Sequence, residues 1–545
     1  MPQTAIIAGY LVVLLVLGVA ARRRARPGAE DFFLAGRSLG PLLLLLTMAA
    51  TNFSAFTVLG FSGAGYRIGY AYYPVMAFGT GFMALTFVLL GVPLWRAARR
   101  LGAITPPEVV WLHFRHRPLH VAYLAVMVVF TLPYLALQPM GAGYALEGLL
   151  GLPYVWGAAL VTGVGLAYVL FSGMRGDAWT DALQGVLMLA AMLAVFLGTA
   201  HALGGFTAAS ARALAQHPEL FARPGGGAAL PPGVWFSYLA LWFLCDPMFP
   251  QLFQRFLAAR DERALRASMV LYPLLTGVLF FLPVAVGVLG RLAVPGLEGA
   301  AADRVLPVVV ARLLPAWVGA LVLVGVLAAL MSTMDSQLLT LSSMVVRDGA
   351  ALAGPGRARR LLRPRVVLAA LAGAGLALAL RPWAPILEIA TETFTGLAVL
   401  FPVTLAMLYW PRTSPGAGFA SIVAGEALVA LYHFKVLPTF GLLPVVPVVG
   451  ATTLVLVAGT LLAPARGREP LARVSRRGLA WTLVFAGLFA LGHDFWNWGR
   501  VGRSWLGLPG WLWYFFGLNL VMSGLFLALA RGRDAARLPR GLRAD

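Results

Sequence analysis

Cysteine and lysine are almost absent from this sequence of 545 residues, in which Cys245 and Lys435 are the only residues of their types. A single cysteine excludes a disulfide framework within the chain and a thiolate metal site. Charge is scarce as well, because Asp, Glu, Lys and Arg make up 12% of the residues whereas hydrophobic types make up 60%. This much apolar surface exceeds what a soluble globular domain requires, so we expect a membrane protein.

Apolar runs of about 20 residues recur along the chain, and each is long enough to cross a hydrocarbon core of roughly 30 Å. They predict an all-α, polytopic membrane protein with about fifteen transmembrane helices in one transporter-sized domain, 1–545. The first run lacks a basic start, so we interpret it as a retained helix and not as a signal peptide. The predicted spans lie near 4–21, 40–61, 70–95, 119–147, 153–172, 178–204, 233–257, 268–290, 313–346, 366–381, 384–410, 417–436, 441–463, 478–494 and 509–530.

The net charge of +21 comes from arginines that cluster in every second connection between the spans. Such clustering is typical of the cytoplasmic loops of membrane proteins and argues against nucleic-acid binding. It predicts a multi-pass protein of the plasma or inner membrane, with the N-terminus outside and the C-terminus in the cytoplasm. The three histidines at 113, 116 and 120 lie in one of these basic loops, where we expect them to be solvated and not to bind a metal.

The segment AALMSTMDSQ (328–337) places polar residues inside a predicted span. At helical spacing Ala329, Ser332, Thr333 and Ser336 share one face, and Asp335 borders it. Hydroxyls in membrane helices also bond to the preceding turn or pack between helices, which would account for one or two of them. Hydroxyl and carbonyl oxygens together can replace the water shell of a small cation, so the segment predicts an ion site.

Two other spans contain breaks that would free backbone carbonyls. AATNFSAFTVLGFSGAG (49–65) is polar in its middle and rich in glycine afterwards, and LCDPMFPQ (244–251) contains two prolines that remove backbone donors. Discontinuous helices near the midplane form ion and substrate sites in transporters. The two spans are five apart, as expected of corresponding helices in two inverted repeats.

Five separated motifs resemble the sodium:solute symporter family, in order and spacing, over roughly residues 30 to 410. They are DFFLAGRSLG (31–40) leading into AATNFSAF, WTDALQG (179–185), FQRFLAARD (253–261) and VLAALMSTMDSQL (326–338). The resemblance implies a LeuT-type core of two inverted five-helix repeats at 38–410, after an N-terminal helix and linker at 1–37 and before additional helices and a basic tail at 411–545. It also implies a sodium-coupled symporter that imports a small organic solute by alternating access, and no enzyme activity.

The resemblance further implies where sodium binds. The ligands would be the carbonyls of Ala50, Phe53 and Ala329 with the hydroxyls of Ser332 and Thr333. Some members bind a second sodium through positions that correspond to Asp181, Asp335 and Ser336. The family often has small hydroxyl residues at the last two positions, so Asp335 is a departure. A second sodium, a proton site and a structural or gating role for Asp181 all remain open.

The substrate is less defined by the sequence. Asn52 matches the sugar-type pattern, but Thr57 and Met76 stand where sugar-type members have polar pocket residues, and unpaired sugar hydroxyls are costly in a dry pocket. We therefore expect a small amino acid or a monocarboxylate. Asp246 would meet an amino group or bond to the loosened backbone. The expected lining or gating residues are Tyr72, Tyr73, Trp242 and Phe249.

Two alternatives remain beside sodium symport. Proton coupling would use Asp181 or Asp335. A transporter-like sensor or channel would bind the solute without coupled transport. The expected partners are a small solute, sodium and the lipid bilayer, with the protein as a monomer and with no nucleic acid.

Overall fold

The computed structural model describes residues 2–23, 28–353, 364–382, 384–464, 469–473 and 476–532. The described residues are almost entirely helical, as predicted, with one small hairpin in which β1 (Ser504–Trp505) pairs antiparallel with β2 (Leu508–Pro509). Much of the predicted basic inner linker at 347–365, the arginines at 466 and 468 and the basic tail from 533 lie outside the described residues.

The helices of the first half run from the N-terminus to the end of a long kinked helix. They are α1 (Pro2–Arg23), α2 (Ala29–Leu34), α3 (Pro41–Asn52), α4 (Phe61–Arg67), α5 (Tyr72–Met83), α6 (Val92–Leu101), α7 (Pro106–Phe114), α8 (Arg117–Leu150) and α9 (Tyr154–Ala202). Wider helical turns at Phe56–Gly60 and Phe87–Gly91 join α4 and α6 to the segments before them.

The second half begins with a short helix and continues through the remaining helices. Its helices are α10 (Phe206–Gln216), α11 (Pro232–Cys245), α12 (Pro250–Ala258), α13 (Glu262–Ala293), α14 (Val305–Leu313), α15 (Ala316–Ala353), α16 (Pro364–Ala379), α17 (Ile386–Ala398), α18 (Leu400–Tyr409), α19 (Pro415–His433), α20 (Val445–Leu462), α21 (Arg476–Leu491) and α22 (Gly510–Arg531). Short 3-10 turns lie at Ala35–Arg37, Pro218–Phe221, Gly226–Ala228, Asp246–Met248, Gly299–Arg304 and Phe495–Asn497.

The described residues contain ten helices that are long and apolar enough to span a membrane. The pair α3 and α4, bent by 62° across its break, would make an eleventh, and three shorter apolar helices lie at Ala5–Gly18, Tyr154–Leu170 and Pro364–Ala379. The number of about fifteen spans therefore stays a prediction.

The helix α15 lies in the middle of the bundle, where it packs against α1, α3, α8 and α9. Close packing elsewhere depends on glycine, as between α4 and α13. A Cβ on Gly65 would lie 2.3 Å from the Val284 carbonyl oxygen, and one on Gly287 would lie 2.1 Å from the Ser62 carbonyl oxygen. Small residues allow membrane helices to approach this closely, and these two glycines allow α4 to pack closely against α13.

Both predicted breaks are present. The helix α3 ends at Asn52, and Phe53 leaves the helical region with φ −90° and ψ 95°. The amide that the break exposes at Ala55 donates to Gln138 Oε1 at 3.0 Å, so it is not left unpaired in the core of the bundle. The second break separates α11, which ends at Cys245, from α12, whose first residue is Pro250. Proline fits there because the first helical position has no intrahelical partner for its amide.

Candidate functional site

The predicted sodium ligands come together where α15 passes the break after α3. The Ser332 hydroxyl donates to the Ala50 carbonyl at 2.9 Å and also lies 3.0 Å from the Ala329 carbonyl oxygen. The Thr333 hydroxyl donates to the Thr51 carbonyl at 3.0 Å and lies 3.4 Å from the Phe53 carbonyl oxygen. Carbonyl and hydroxyl oxygens from two elements thus converge in a buried place.

This donor set fits sodium. A helix that ends leaves its last carbonyls without intrahelical partners, and the break after Asn52 exposes such oxygens beside the two hydroxyls of α15. Oxygen ligands are what a hard monovalent cation requires, and neutral ones replace its water without adding full charge. Because the carbonyls belong to α3 and the hydroxyls to α15, an ion bound there would join the two elements.

A buried arginine, Arg255, was not among the predicted site residues. It contacts Ser336, one helical turn after Ser332 on α15. Arg255 Nη2 donates to Asp177 at 2.9 Å, to Asp181 at 2.7 Å and to the Ser336 hydroxyl at 2.6 Å, while its Nε donates to the Thr47 hydroxyl at 2.8 Å. The guanidinium therefore ties α12 to α3, α9 and α15. Its position within FQRFLAARD was visible in the sequence, but its partners were not.

The three residues predicted for a second ion site differ in whether they contact Arg255. Asp181 and Ser336 both contact Arg255, and the Thr47 hydroxyl donates to Asp181 at 2.5 Å. Asp335 is equally buried, but neither of its carboxylate oxygens has a hydrogen-bond partner among the described residues. Its side chain lies against α9, since a Cβ on Gly165 would be 3.0 Å from Asp335 Oδ1.

A small cavity lies beside the first break, and six of the eight predicted substrate residues line it. The lining consists of Asn52, Phe56, Thr57, Phe61, Met76, Thr80, Tyr134, Trp242, Asp246, Phe249, Phe280 and Phe394. Its free volume of about 10 Å³ has room for one water molecule. The lining side chains therefore leave no room for a solute in this arrangement.

Tyr72 and Tyr73 are not among the residues that line this cavity. The Tyr72 ring packs edge-on against Phe61, and the Tyr73 hydroxyl donates to the Gly277 carbonyl on α13 at 3.0 Å. Tyr72 therefore contacts a lining residue from outside the lining, whereas Tyr73 contacts α13. The lining residues that the sequence reading missed include Tyr134 and Phe394, aromatic residues in apolar spans that carry no signal of their own.

Polar contacts join the end of α4 to the loop before α14. Tyr66 donates to the Val294 carbonyl at 2.6 Å, and Arg67 donates to the Gly299 carbonyl at 2.6 Å. Asp303, in the same loop, accepts from the Ile386 amide at 2.9 Å. Burial raises the pKa of the Asp303 carboxyl to about 6, although the nearby Arg67 guanidinium acts to lower it. These contacts hold the second half of the first broken span against this loop and α17.

A second set of polar contacts joins the segments before α3 and after α12. The Arg260 amide donates to the Leu39 carbonyl at 2.9 Å, Trp95 Nε1 donates to the Ala259 carbonyl at 2.7 Å, and Arg96 forms an ion pair with Glu262 at 2.6 Å. Polar contacts thus join elements on either side of both breaks.

The expectation that His120 is solvated was wrong. Its side chain is buried, and Nε2 lies 2.7 Å from Asp348 Oδ1 near the end of α15. The helix α8 begins at Arg117, so His120 already lies in its first turns and faces α15. The Asp348 carboxylate also accepts from the Thr105 hydroxyl at 2.7 Å. Among the residues that the structure describes, no group of three metal-ligating side chains is present.

Comparisons with known proteins agree with this architecture. A sequence model of the sodium:solute symporter family matches residues 32–425. The sodium/pantothenate symporter of Escherichia coli strain K12 is 28% identical over 450 residues, which cover 80% of this chain and 92% of that protein. The sodium/proline symporter of Staphylococcus aureus strain JH9 is 27% identical over 466 residues, which cover 81% of this chain and 89% of that protein.

Solved structures give the same fold. A Na+-coupled sialic acid symporter in a substrate-bound outward-open state superposes with a TM-score of 0.70 at 17% identity, covering 86% of this chain and 99% of that chain. MHP1, a nucleobase-cation-symport-1 family transporter in a closed conformation, superposes with a TM-score of 0.53 at 12% identity, covering 84% and 99%. At these identities the likeness concerns the fold alone, which is the LeuT-type helical fold.

Proposed function

The chain belongs to the sodium:solute symporter family, and from this premise we propose how its residues couple a sodium ion to a solute. It is a multi-pass protein of the cell membrane that imports a small solute together with sodium. We assign it transport and no catalysis.

We propose that sodium binds to the carbonyls of Ala50, Phe53 and Ala329 and to the hydroxyls of Ser332 and Thr333. The observation that supports this assignment is the convergence of the two hydroxyls on carbonyls exposed by the break after α3, at 2.9 to 3.4 Å. Each ligand is neutral, so the occupied site would carry the positive charge of the ion. Sodium would supply the electrostatic attraction that holds the inner half of the first broken span against α15.

Coupling would follow from the position of the break. Asn52 lines the solute cavity, and the next residue, Phe53, offers its carbonyl to the ion. Sodium binding therefore fixes the backbone on which the solute site depends, and the two sets of polar contacts described above would open in alternation. An inside-negative potential would contribute about 2.3 kcal/mol per 100 mV for each sodium ion that enters.

For the solute, we propose a small amino acid or a monocarboxylate held by Asn52, Thr57, Met76, Trp242 and Phe249, with Asp246 beside them. These residues line one closed cavity next to the first break. Tyr72 and Tyr73 would act on this site only through their neighbours, since neither lines the cavity. The relatives named above bear the names of pantothenate and proline symporters, both small solutes.

A second ion at Asp181, Asp335 and Ser336, either sodium or a proton, is a further proposal. Arg255 weighs against a second sodium, because its guanidinium already supplies a positive charge to Asp181 and a hydrogen bond to Ser336. A second metal ion would require those contacts to change. Proton-driven uptake, or binding without coupled transport, remains the alternative.

We also propose that the N-terminus faces outward and the C-terminus the cytoplasm, with the protein a monomer in the bilayer. The described arginines support one basic face, since Arg96, Arg99 and Arg260 lie together in the second set of polar contacts. The many exposed apolar side chains on the spans fit contact with lipid.

Uptake by the reconstituted full chain tests the coupling. Liposomes loaded in sodium-free medium would be given labelled L-proline, acetate or pantothenate under an inward sodium gradient, a potassium gradient of equal size or a pH gradient. We expect the labelled solute to accumulate above its equilibrium level only under the sodium gradient. Accumulation driven only by pH would favour the proton alternative, and equilibration without accumulation would favour a channel or sensor.

A further inference from the structure

The solute cavity is aromatic and contains one carboxyl group. Of its lining residues, all of which lie in the described part of the chain, only Asp246 carries a carboxyl group, and none is lysine or arginine. The remaining polar groups are uncharged, among them Asn52, Thr57 and Thr80. A cationic solute in this cavity would therefore meet a carboxyl group that can ionise against it, and an anionic solute would meet no positive side chain.

The Asp246 carboxylate keeps one oxygen free for a ligand. The side chain is 2% exposed, its Oδ1 accepts a weak hydrogen bond from the Cys245 thiol at 3.4 Å, and its Oδ2 has no hydrogen-bond partner within 3.5 Å among the described residues. The Asn52 amide faces the same carboxylate but donates to the Tyr272 hydroxyl at 2.9 Å. A buried polar oxygen without a partner is costly, and a donor on the solute would satisfy it.

Four aromatic rings pack around Phe394 in the cavity that Asp246 lines. Phe394 lies at the centre, with ring centroids 4.7 Å from Phe249, 4.9 Å from Tyr134, 5.6 Å from Trp242 and 5.7 Å from Phe56. Aromatic faces attract cations, most strongly when water is excluded, and such cages recognise ammonium groups. The rings and the carboxylate thus favour the same kind of solute group.

We infer that the solute carries a positively charged nitrogen, protonated or quaternary, which binds between Asp246 and the aromatic rings around Phe394. This narrows the proposed function, on which it rests, to amino acids and amines. A solute whose only charge is a carboxylate would bring like charges together in a buried site, where such contacts oppose binding. Acetate-like acids and pantothenate are therefore excluded from the expected substrates.

Thermal stabilisation of the purified full chain tests the inference, because a ligand that binds only the folded state raises the unfolding temperature. The amine probes are L-proline, glycine and choline, and the acid probes are acetate and pantothenate, each in sodium and in potassium. We expect stabilisation by at least one amine in sodium and by neither acid. Stabilisation by an acid without an amine, or by no probe amine at all, would overturn the inference.

Asp246→Asn keeps the size of the side chain and removes its charge. We expect the dissociation constant of the stabilising amine to rise roughly 10- to 100-fold, as for loss of a hydrogen bond to a charged group. Glu426→Gln is the matched control, because it removes another carboxylate without hydrogen-bond partners in the described structure, on α19 and outside the cavity lining. Equal amine affinity in Asp246→Asn and wild type would contradict the inference.

Stabilisation of Asp246→Asn by sodium alone verifies that the variant folds and keeps the ion site. If Asp246→Asn does not fold, the thermal stabilisation of the wild type by the acid and amine probes still tests the inference. Amine binding that is equally strong in potassium would count against the sodium-coupled function and leave the assignment of the cationic group in place, so the two failures are distinguishable.

Discussion

Removing the guanidinium of Arg255 should destabilise the whole bundle. This side chain is fully buried and is paired with Asp177 at 2.9 Å and Asp181 at 2.7 Å, both of which are also buried. Arg255→Met keeps most of the apolar stem and leaves two carboxylates without their positive partner. Breaking a buried ion pair from one side costs about 3–5 kcal/mol, because the remaining charge is uncompensated.

The expected shift in unfolding temperature follows from chain length. At about 2.1 cal/mol/K per residue, the 545 residues give an unfolding entropy of roughly 1.1 kcal/mol/K if the chain unfolds as one unit. A loss of about 3–5 kcal/mol then lowers the midpoint by roughly 3–4 °C. Arg266→Met is the matched control, since its ion pair with Glu262 on α13 is partly exposed and such pairs contribute about 1 kcal/mol or less.

The measurement is thermal unfolding of the purified variants in one detergent and one sodium concentration. Combining Arg255→Met with Asp177→Asn and Asp181→Asn removes the unpaired charges, so the triple variant should recover much of the lost stability. Wild-type stability in Arg255→Met would refute the reasoning. Destabilisation that simply adds across the three substitutions would also refute it, because coupled partners in one network are not expected to be additive.

Three further predictions concern the ion and the opening of the cavity. Ser332→Ala with Thr333→Ala should weaken sodium activation of uptake roughly 10- to 100-fold by removing two ligands. Ser342→Ala should leave sodium activation unchanged, because this hydroxyl bonds only within its own helix in the described structure. Equal sodium activation in the double variant and in Ser342→Ala would contradict the site. If Asp335 takes part in a second ion site, Asp335→Ala should lower the Hill coefficient for sodium toward one, and an unchanged coefficient would favour a single ion. Cys245, the one cysteine of the chain, is buried beside the cavity, so sodium and solute together should slow its alkylation by a maleimide if they hold the cavity closed; faster alkylation would show that they open it.

The sequence by itself determined the fold class and the polar face of α15. Runs of apolar residues specify helices wherever they occur, since every backbone group in a bilayer must be paired within its own segment. Helical periodicity then put Ser332 and Thr333 on one face, and the two breaks were visible from Asn52 and from Pro247 and Pro250. These features are local, so the order of residues is enough to predict them.

Only the tertiary structure decided which distant side chains meet. Arg255 contacts carboxylates 74 and 78 positions away, and His120 contacts Asp348 across 228 positions. No periodicity within one helix encodes such pairs, because they depend on how separate helices cross and rotate. The same holds for the cavity, where packing brings Phe394 beside Asp246 and leaves Asp246 Oδ2 without a hydrogen-bond partner in the described structure. The polar face of α15 and the two breaks could thus be predicted from sequence, whereas the charge that we infer for the solute depends on contacts between helices.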